Sequence, residues 1–300
     1  MTDNSSEEIH FAIGKAYFIS GKPDQAMFHL EIAAKKGFSR AFHLIGVCKL
    51  HGLGTKKNEE EAVKFFVQAS HYGDLSSYMS VAHALLSGNG IAIDEKAAFE
   101  WYEAGSKFAH PRCQFNLALC YEKGIGTEID HENANENYRL SSIQGDFMSQ
   151  YNLGLKLIEG RNIKKNENEG FKLIQKSALA GHKMSQYQLG LCFSKGIGTK
   201  QNEKKSFKWF KFSAENGFIP SFKVVGFFYQ KGFGVKSDQK EASKWLLRSA
   251  NEAKDPDAMI EIARCYQHGI GIEKDPTVAS EWYGIAKKLV DYDIPPFDKL

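Results

Sequence analysis

The chain has 300 residues, 42% of them hydrophobic, with 39 basic and 36 acidic side chains for a formal net charge of +3. That apolar content excludes wholesale disorder, and the near-balanced, interspersed charge argues against a nucleic-acid or membrane-surface partner. No apolar run approaches the roughly 18 residues of a membrane span, and the opening MTDNSSEEIH lacks the basic and apolar regions of a signal peptide, so a cytoplasmic protein is expected.

Taken in chain order, the first element pair is compact. Its small residues, Gly14 and Ala26, stand 12 apart, and the turn between them, Ser20 to Asp24, is tight. From there a Gly-x-Gly pair recurs at Gly52/Gly54, Gly88/Gly90, Gly124/Gly126, Gly196/Gly198, Gly232/Gly234 and Gly269/Gly271. Successive pairs lie 36 residues apart, or twice that across the degenerate turn at Gly160-Arg161-Asn162, and the last interval is 37. A fixed period of this size indicates stacked supersecondary units.

Residues Pro111 to Gly145 show what one unit contains. Proline suits a first helical turn, and Cys113, Leu117, Ala118 and Tyr121 then form one apolar stripe. Gly124-Ile125-Gly126 stops that helix, because glycine takes positive φ readily. A second helix is expected to start near Asp130-His131, with Ala134, Tyr138 and Ser141-Ser142 on its inner face.

The same columns fill in register elsewhere. The close-contact position of the first helix, helix A, is Gly14, Gly46, Ala82, Ala118, Gly154, Gly190, Gly226 and Ala263. The small column of the second, helix B, runs Ala26, Ala62, Ala98, Ala134, Gly170, Ser206, Ala242 and Ala279. All four tryptophans, Trp101, Trp209, Trp245 and Trp282, stand three residues after that column and are expected to wedge between repeats. The predicted fold is all-α: a right-handed α/α superhelical solenoid of eight helix pairs, forming one repeat domain over residues 1–290. Its first unit is 1–37, seven more span 38–290, and the proline-containing tail 291–300 is expected to lie extended as a cap. One residue is inserted between Asn251 and Asp257.

The strings LALCYEKGIG, LGLCFSKGIG and IARCYQHGIG, each followed by Ala-x-x-Trp or its equivalent, resemble the Sel-one-like repeat family, a subclass of tetratricopeptide-like solenoids. The copies Ala242 to Leu246 and Ala279 to Tyr283 match best, and the resemblance covers roughly residues 38 to 290. It implies an adaptor or scaffold, with bacterial effectors acting on host proteins among the family; a few relatives bind penicillin-like compounds or haem. The departures are Asn137 in the tryptophan column, Ala109 at the usual inter-repeat glycine, and the turn at Gly160.

Candidate chemistry is sparse. Cys48, Cys120, Cys192 and Cys265 occupy one repeat position in alternate units. Helix pairs stack about 10 Å apart, which puts those thiols too far from one another for a disulfide or a shared zinc. With Cys113 they are expected to be small packing thiols, and neither metal nor cofactor is expected. Ser237 to Lys240 matches a serine–lysine motif of penicillin-recognising hydrolases, the alternative function, but no Lys-Thr-Gly accompanies it. The protein is therefore read as a non-enzymatic interaction scaffold.

Its partner is expected along a second stripe of helix A, on the face that lines the concave groove in such solenoids. Three residues before the close-contact position stand Met79, Phe115, Tyr151, Tyr187 and Lys223; one residue after it stand Leu119, Leu155, Leu191 and Phe227. Lys123, Lys195 and Lys231, five residues after it, form a basic rim. Such a groove suits a protein or peptide with apolar anchors and acidic side chains; the competing reading is that the aromatic column packs against the next helix A.

Overall fold

A computed structural model describes residues 6–289; the expected tail at 291–300 lies outside them. Sixteen α-helices and no strand occur among the described residues. They fall into two compact units, one ending at Ser149 and the other beginning at Gln150. The first contains α1 (Ser6–Ile19), α2 (Pro23–Lys35), α3 (Ser39–His51), α4 (Glu59–His71), α5 (Leu75–Ser87), α6 (Glu95–Lys107), α7 (Pro111–Lys123) and α8 (His131–Ile143). The division falls within α9 (Phe147–Glu159). The second unit continues through α10 (Glu167–Leu179), α11 (Lys183–Lys195), α12 (Glu203–Glu215), α13 (Pro220–Lys231), α14 (Gln239–Arg248), α15 (Pro256–His268) and α16 (Pro276–Leu289). Within each unit consecutive helices pack pair upon pair, as a solenoid.

Local chemistry sets the helix ends. Odd helices stop at glycines in the left-handed region, such as Gly124 at φ 73°, whose N–H donates to the Cys120 carbonyl. The second glycine of each pair answers a different need. A Cβ on Gly126 would stand 2.1 Å from the Glu95 carbonyl oxygen, and one on Gly234 would stand 2.2 Å from that of Glu203. The loop thus rests directly on the first turn of the preceding helix B. Even helices from α4 onward start at an Asn or Asp cap: Asn58, Asp94, Asp130, Asn166, Asn202, Asp238 and Asp275 each accept from a first-turn backbone N–H. This cap column escaped the sequence reading, which located only the start near Asp130.

The departures from the pattern become visible strain or insertion. Among the described residues, Ala109, Asn162 and Lys254 are the non-glycine residues with positive φ, at 55°, 56° and 53°. The extra residue near Asn251 is absorbed by a π-helical turn, Ser249–Ala253, so α15 restarts in register.

The core corrects one expectation. The wedge between helices A and B is the column four residues after the small position: Leu30, Tyr102, Tyr138, Ile174, Phe210 and Leu246 are all fully buried. The tryptophans one residue earlier are half-buried instead. At 100° per residue that single step turns a side chain from the A–B interface toward the flank of the pair. Glycines at the close-contact position face this wedge: a Cβ on Gly46 would meet the Phe66 ring at 2.6 Å, and one on Gly226 would meet Leu246 at 2.8 Å. The repeats with alanine there, at Ala82, Ala118 and Ala263, carry tyrosine in the wedge, at Tyr102, Tyr138 and Tyr283.

Candidate functional site

Helix A carries the expected stripe, and the structure divides it into two parts. At four positions, His43, Tyr151, Tyr187 and Lys223, the column three residues before the close-contact position joins helix A to the capping segment of the next. Its partners change in kind from repeat to repeat. His43 Nδ1 sits 3.3 Å from the Asp74 carboxylate and 2.8 Å from Ser77 Oγ. The Tyr151 ring packs edge-on to His182 at 5.1 Å, and Tyr187 packs on Phe218 at 5.4 Å and Phe210 at 5.2 Å. Lys223 bridges Asp255 at 2.8 Å and Asp257 at 2.9 Å. Burial pulls the Lys223 ammonium down, but hydrogen bonds to Asp255 and Asp257 outweigh it and hold the pKa above its ordinary value.

These contacts reassign part of the predicted groove. Phe115 is 6% exposed, against Tyr138 and beneath the Arg112 guanidinium, which itself reaches Asp146 at 3.2 Å. Its ring is not available as an anchor. Lys223 is already neutralised and is not free to pair with an acidic partner. Met79 packs on the core around Tyr102.

The other two columns keep the chemistry expected of them. Leu119, Leu155, Leu191 and Phe227 are half-buried, with part of each side chain open to solvent. Lys123, Lys195 and Lys231 are exposed, and no ion pair involving them occurs among the described residues. Each also stands in the last turn of its helix, where the helix dipole favours a cation. The first unit adds a cavity of about 380 Å³ on the same side of its A helices, lined by Val47, Leu50, Phe66, Ser80, His83 and Ser87. Sequence reasoning placed the groove in the middle repeats and missed this recess, whose size depends on how α3, α4 and α5 splay.

Three arrangements resemble catalytic chemistry and none assembles it. Asp74, His43 and Ser77 lie together, yet carboxylate and hydroxyl approach the same imidazole nitrogen, Nδ1, and Ser77 is fully buried. A general base must receive the hydroxyl proton at one nitrogen while a carboxylate holds the other. Ser77 Oγ instead donates to Asp74 at 2.6 Å, closing the cap of α5. Ser237, of the serine–lysine motif, donates to the Gln230 carbonyl and accepts from Gln239 in an exposed loop. The five cysteines are free and buried. Burial pushes the Cys113 thiol up to about 12 and those of Cys48, Cys120, Cys192 and Cys265 up to about 11, the reverse of a reactive thiolate. Among the described residues no three His, Cys, Asp or Glu side chains converge as metal ligands, and no helix is long and apolar enough to cross a membrane.

Comparison with known proteins agrees with the register. The family model described as Sel1 repeat matches residues 13–38, 40–74, 76–107, 111–146, 148–182, 183–218, 225–253 and 256–291. The fold is similar to that of a Sel1 repeat protein from Oxalobacter formigenes, with TM-score 0.70 and 22% identity over 96% of this chain and 84% of that one. It is also similar to a protective antigen of uropathogenic Escherichia coli displaying an SLR fold, with TM-score 0.61 and 20% identity over 95% and 73% of the two chains. No curated protein matches the sequence.

Proposed function

Because the chain belongs to the Sel1 repeat family, we propose that it is a non-enzymatic scaffold that holds a segment of a partner protein along its A helices. Repeat arrays of this kind offer extended surfaces built from one residue position per repeat. The observation that carries the reading is the pairing of two columns within the second unit, half-open Leu155, Leu191 and Phe227 beside exposed Lys195 and Lys231, which Leu119 and Lys123 repeat within the first; no ion pair to these lysines occurs among the described residues. Some other surface cations have a carboxylate partner within the chain, as Lys49, Lys107 and Lys244 do. Cations left without one, beside apolar side chains, suit a partner segment with apolar anchors and acidic residues. Five buried, unbridged thiols fit a reducing compartment, and hence a cytoplasmic site of action.

The test is a charge reversal that leaves the fold alone. Lys123→Glu, Lys195→Glu and Lys231→Glu together alter only exposed side chains, so the helical signal should persist, with the melting temperature lowered modestly because each helix end exchanges a favourable cation for an anion. Capture of the partner should slow, and its salt dependence should flatten, because rim charges act mainly on association. Leu155→Glu with Leu191→Glu should abolish capture. Unchanged binding in both variants would exclude this face.

A further inference from the structure

A second recess lies in the first unit, away from the A-helix face just described. In three repeats the residue four before the close-contact position of helix A packs, with its ring tilted, against the aromatic residue three after the small column of helix B. The pairs are Phe42 with Phe65 at 6.5 Å, Tyr78 with Trp101 at 5.5 Å, and Phe222 with Trp245 at 5.8 Å. The last pair carries a resident cation. The Arg248 guanidinium carbon lies 4.2 Å from the centre of the Phe222 ring and 5.0 Å from that of Trp245, and its Nε donates to Glu252 at 2.9 Å. Two ring faces and one carboxylate thus hold a guanidinium.

Arg248 stands six residues after Ala242, and the residue six after Ala98 is Ala104. A methyl group cannot reach across the rings. The Tyr78–Trp101 pair is left beside an open pocket of about 350 Å³, whose walls include Glu100, Ala104, Ser70 and His71. The counterpart of Glu252 is Phe108, a 59% exposed ring that packs on Tyr78 at 5.8 Å. The carboxylate comes from Glu100 instead: it lines the pocket, is exposed, and makes no ion pair among the described residues. Glu103, close by on the same helix, is already neutralised by Lys107 at 3.0 Å.

We propose that this pocket receives an arginine side chain from a partner protein, its guanidinium over Trp101 and Tyr78 and paired with Glu100. A planar guanidinium stacks on aromatic faces and forks onto a carboxylate, which a lysine ammonium does less well. Tyr78 stands five residues before His83, about 140° around α5 at 100° per residue. The site is therefore distinct from the A-helix face and does not depend on the function proposed for it.

The experiment uses the full chain, 15N-labelled at its tryptophans, and follows the four indole N–H signals, with that of Trp101 identified by Trp101→Phe. N-acetyl-arginine amide should shift the Trp101 signal saturably and more strongly than N-acetyl-lysine amide, and the neutral citrulline analogue should not shift it. Glu100→Gln should weaken the arginine probe about two- to fivefold, the range of a solvent-exposed ion pair, and Glu100→Lys should abolish the response. Ala104→Arg should supply the resident cation seen at Arg248 and close the pocket, leaving the Trp101 signal insensitive to the probe. No saturable shift at Trp101, an equal shift from citrulline, or full binding by the Glu100→Lys protein would overturn the proposal. The Glu100 variants alter only an exposed side chain, so the outcome does not hinge on whether Ala104→Arg folds.

Discussion

The same substitution, glycine to alanine within a helix, should have opposite signs at two positions of this chain. At Gly284, inside α16, an added Cβ meets nothing within 4 Å. Gly284→Ala should therefore stabilise by up to about 1 kcal/mol, the helix-propensity difference. At Gly190, inside α11, the new Cβ would lie 2.8, 2.9 and 3.0 Å from three atoms of the Phe210 ring. Carbon atoms are comfortable at about 3.5–4.0 Å, so ring or helix must retreat by roughly 0.7 Å. Phe210 is 2% exposed and also touches Tyr187 and Phe228, which leaves the ring little room to move. Overpacking of this kind costs about 1–3 kcal/mol, and the propensity gain offsets part of it. Gly190→Ala should lower stability by about 1–2 kcal/mol net. Urea unfolding followed by circular dichroism would show it, and Phe210→Leu in the same molecule should recover most of the loss as a coupling between neighbours. A higher urea midpoint for Gly190→Ala, matching that for Gly284→Ala, would refute the close-contact account of this column.

Other outcomes follow from the same contacts. Tyr187→Ala strips the ring that meets Phe210 and Phe218 and should cost about 2–3 kcal/mol, measurable as a lowered unfolding midpoint; a neutral result would return Tyr187 to the partner face. All five thiols should resist a disulfide reagent at pH 8 in the native state, roughly a hundredfold more slowly than free cysteine, and react together on unfolding; one fast thiol would contradict their burial. His43, His83 and His110 each have a pKa held below the ordinary 6.5, first by burial, with Asp74 opposing at His43 and His110 and Arg112 reinforcing at His83 and His110. The unfolded chain therefore takes up these protons first, and stability should be flat above about pH 7 and fall as pH drops through 6.5; an urea midpoint unchanged between pH 7.5 and 5 would refute this.

How much of this was legible depends on the range of the physics involved. Gly124-Ile125-Gly126 declares a helix stop by backbone conformation alone, and the 36-residue beat of such stops yields the order of the helices. Three of the departures read from the sequence, Ala109, Arg161-Asn162 and the insertion near Asn251, reappear as positive-φ residues and a π-helical turn, because each breaks a local backbone rule; Asn137, a side-chain departure, leaves the backbone regular. The wedge column was misplaced by one residue: Trp209 and Phe210 are adjacent, both large and aromatic, and composition does not say which one faces Gly190. The column of Met79, Phe115, Tyr151, Tyr187 and Lys223 was harder still. For Tyr151, Tyr187 and Lys223 the partners lie about 30 residues away in the next repeat, so their aromatic and basic character looks like a binding surface until His182, Phe218 and Asp255 are seen against them.

The resting of each loop's second glycine on the carbonyl of a preceding helix has a consequence for how such a chain can vary. The step from one pair to the next, in either unit, is gauged by main chain against main chain, at Gly54 on Pro23, Gly126 on Glu95 and Gly271 on Gln239 alike. At these three loops the nearest atoms are all main chain. A position that must be a histidine–aspartate pair in one repeat and a tyrosine–phenylalanine pair in another can therefore change without altering the pitch. The backbone behaves as the frame of a keyboard, fixed in its spacing, on which each key can be recut alone.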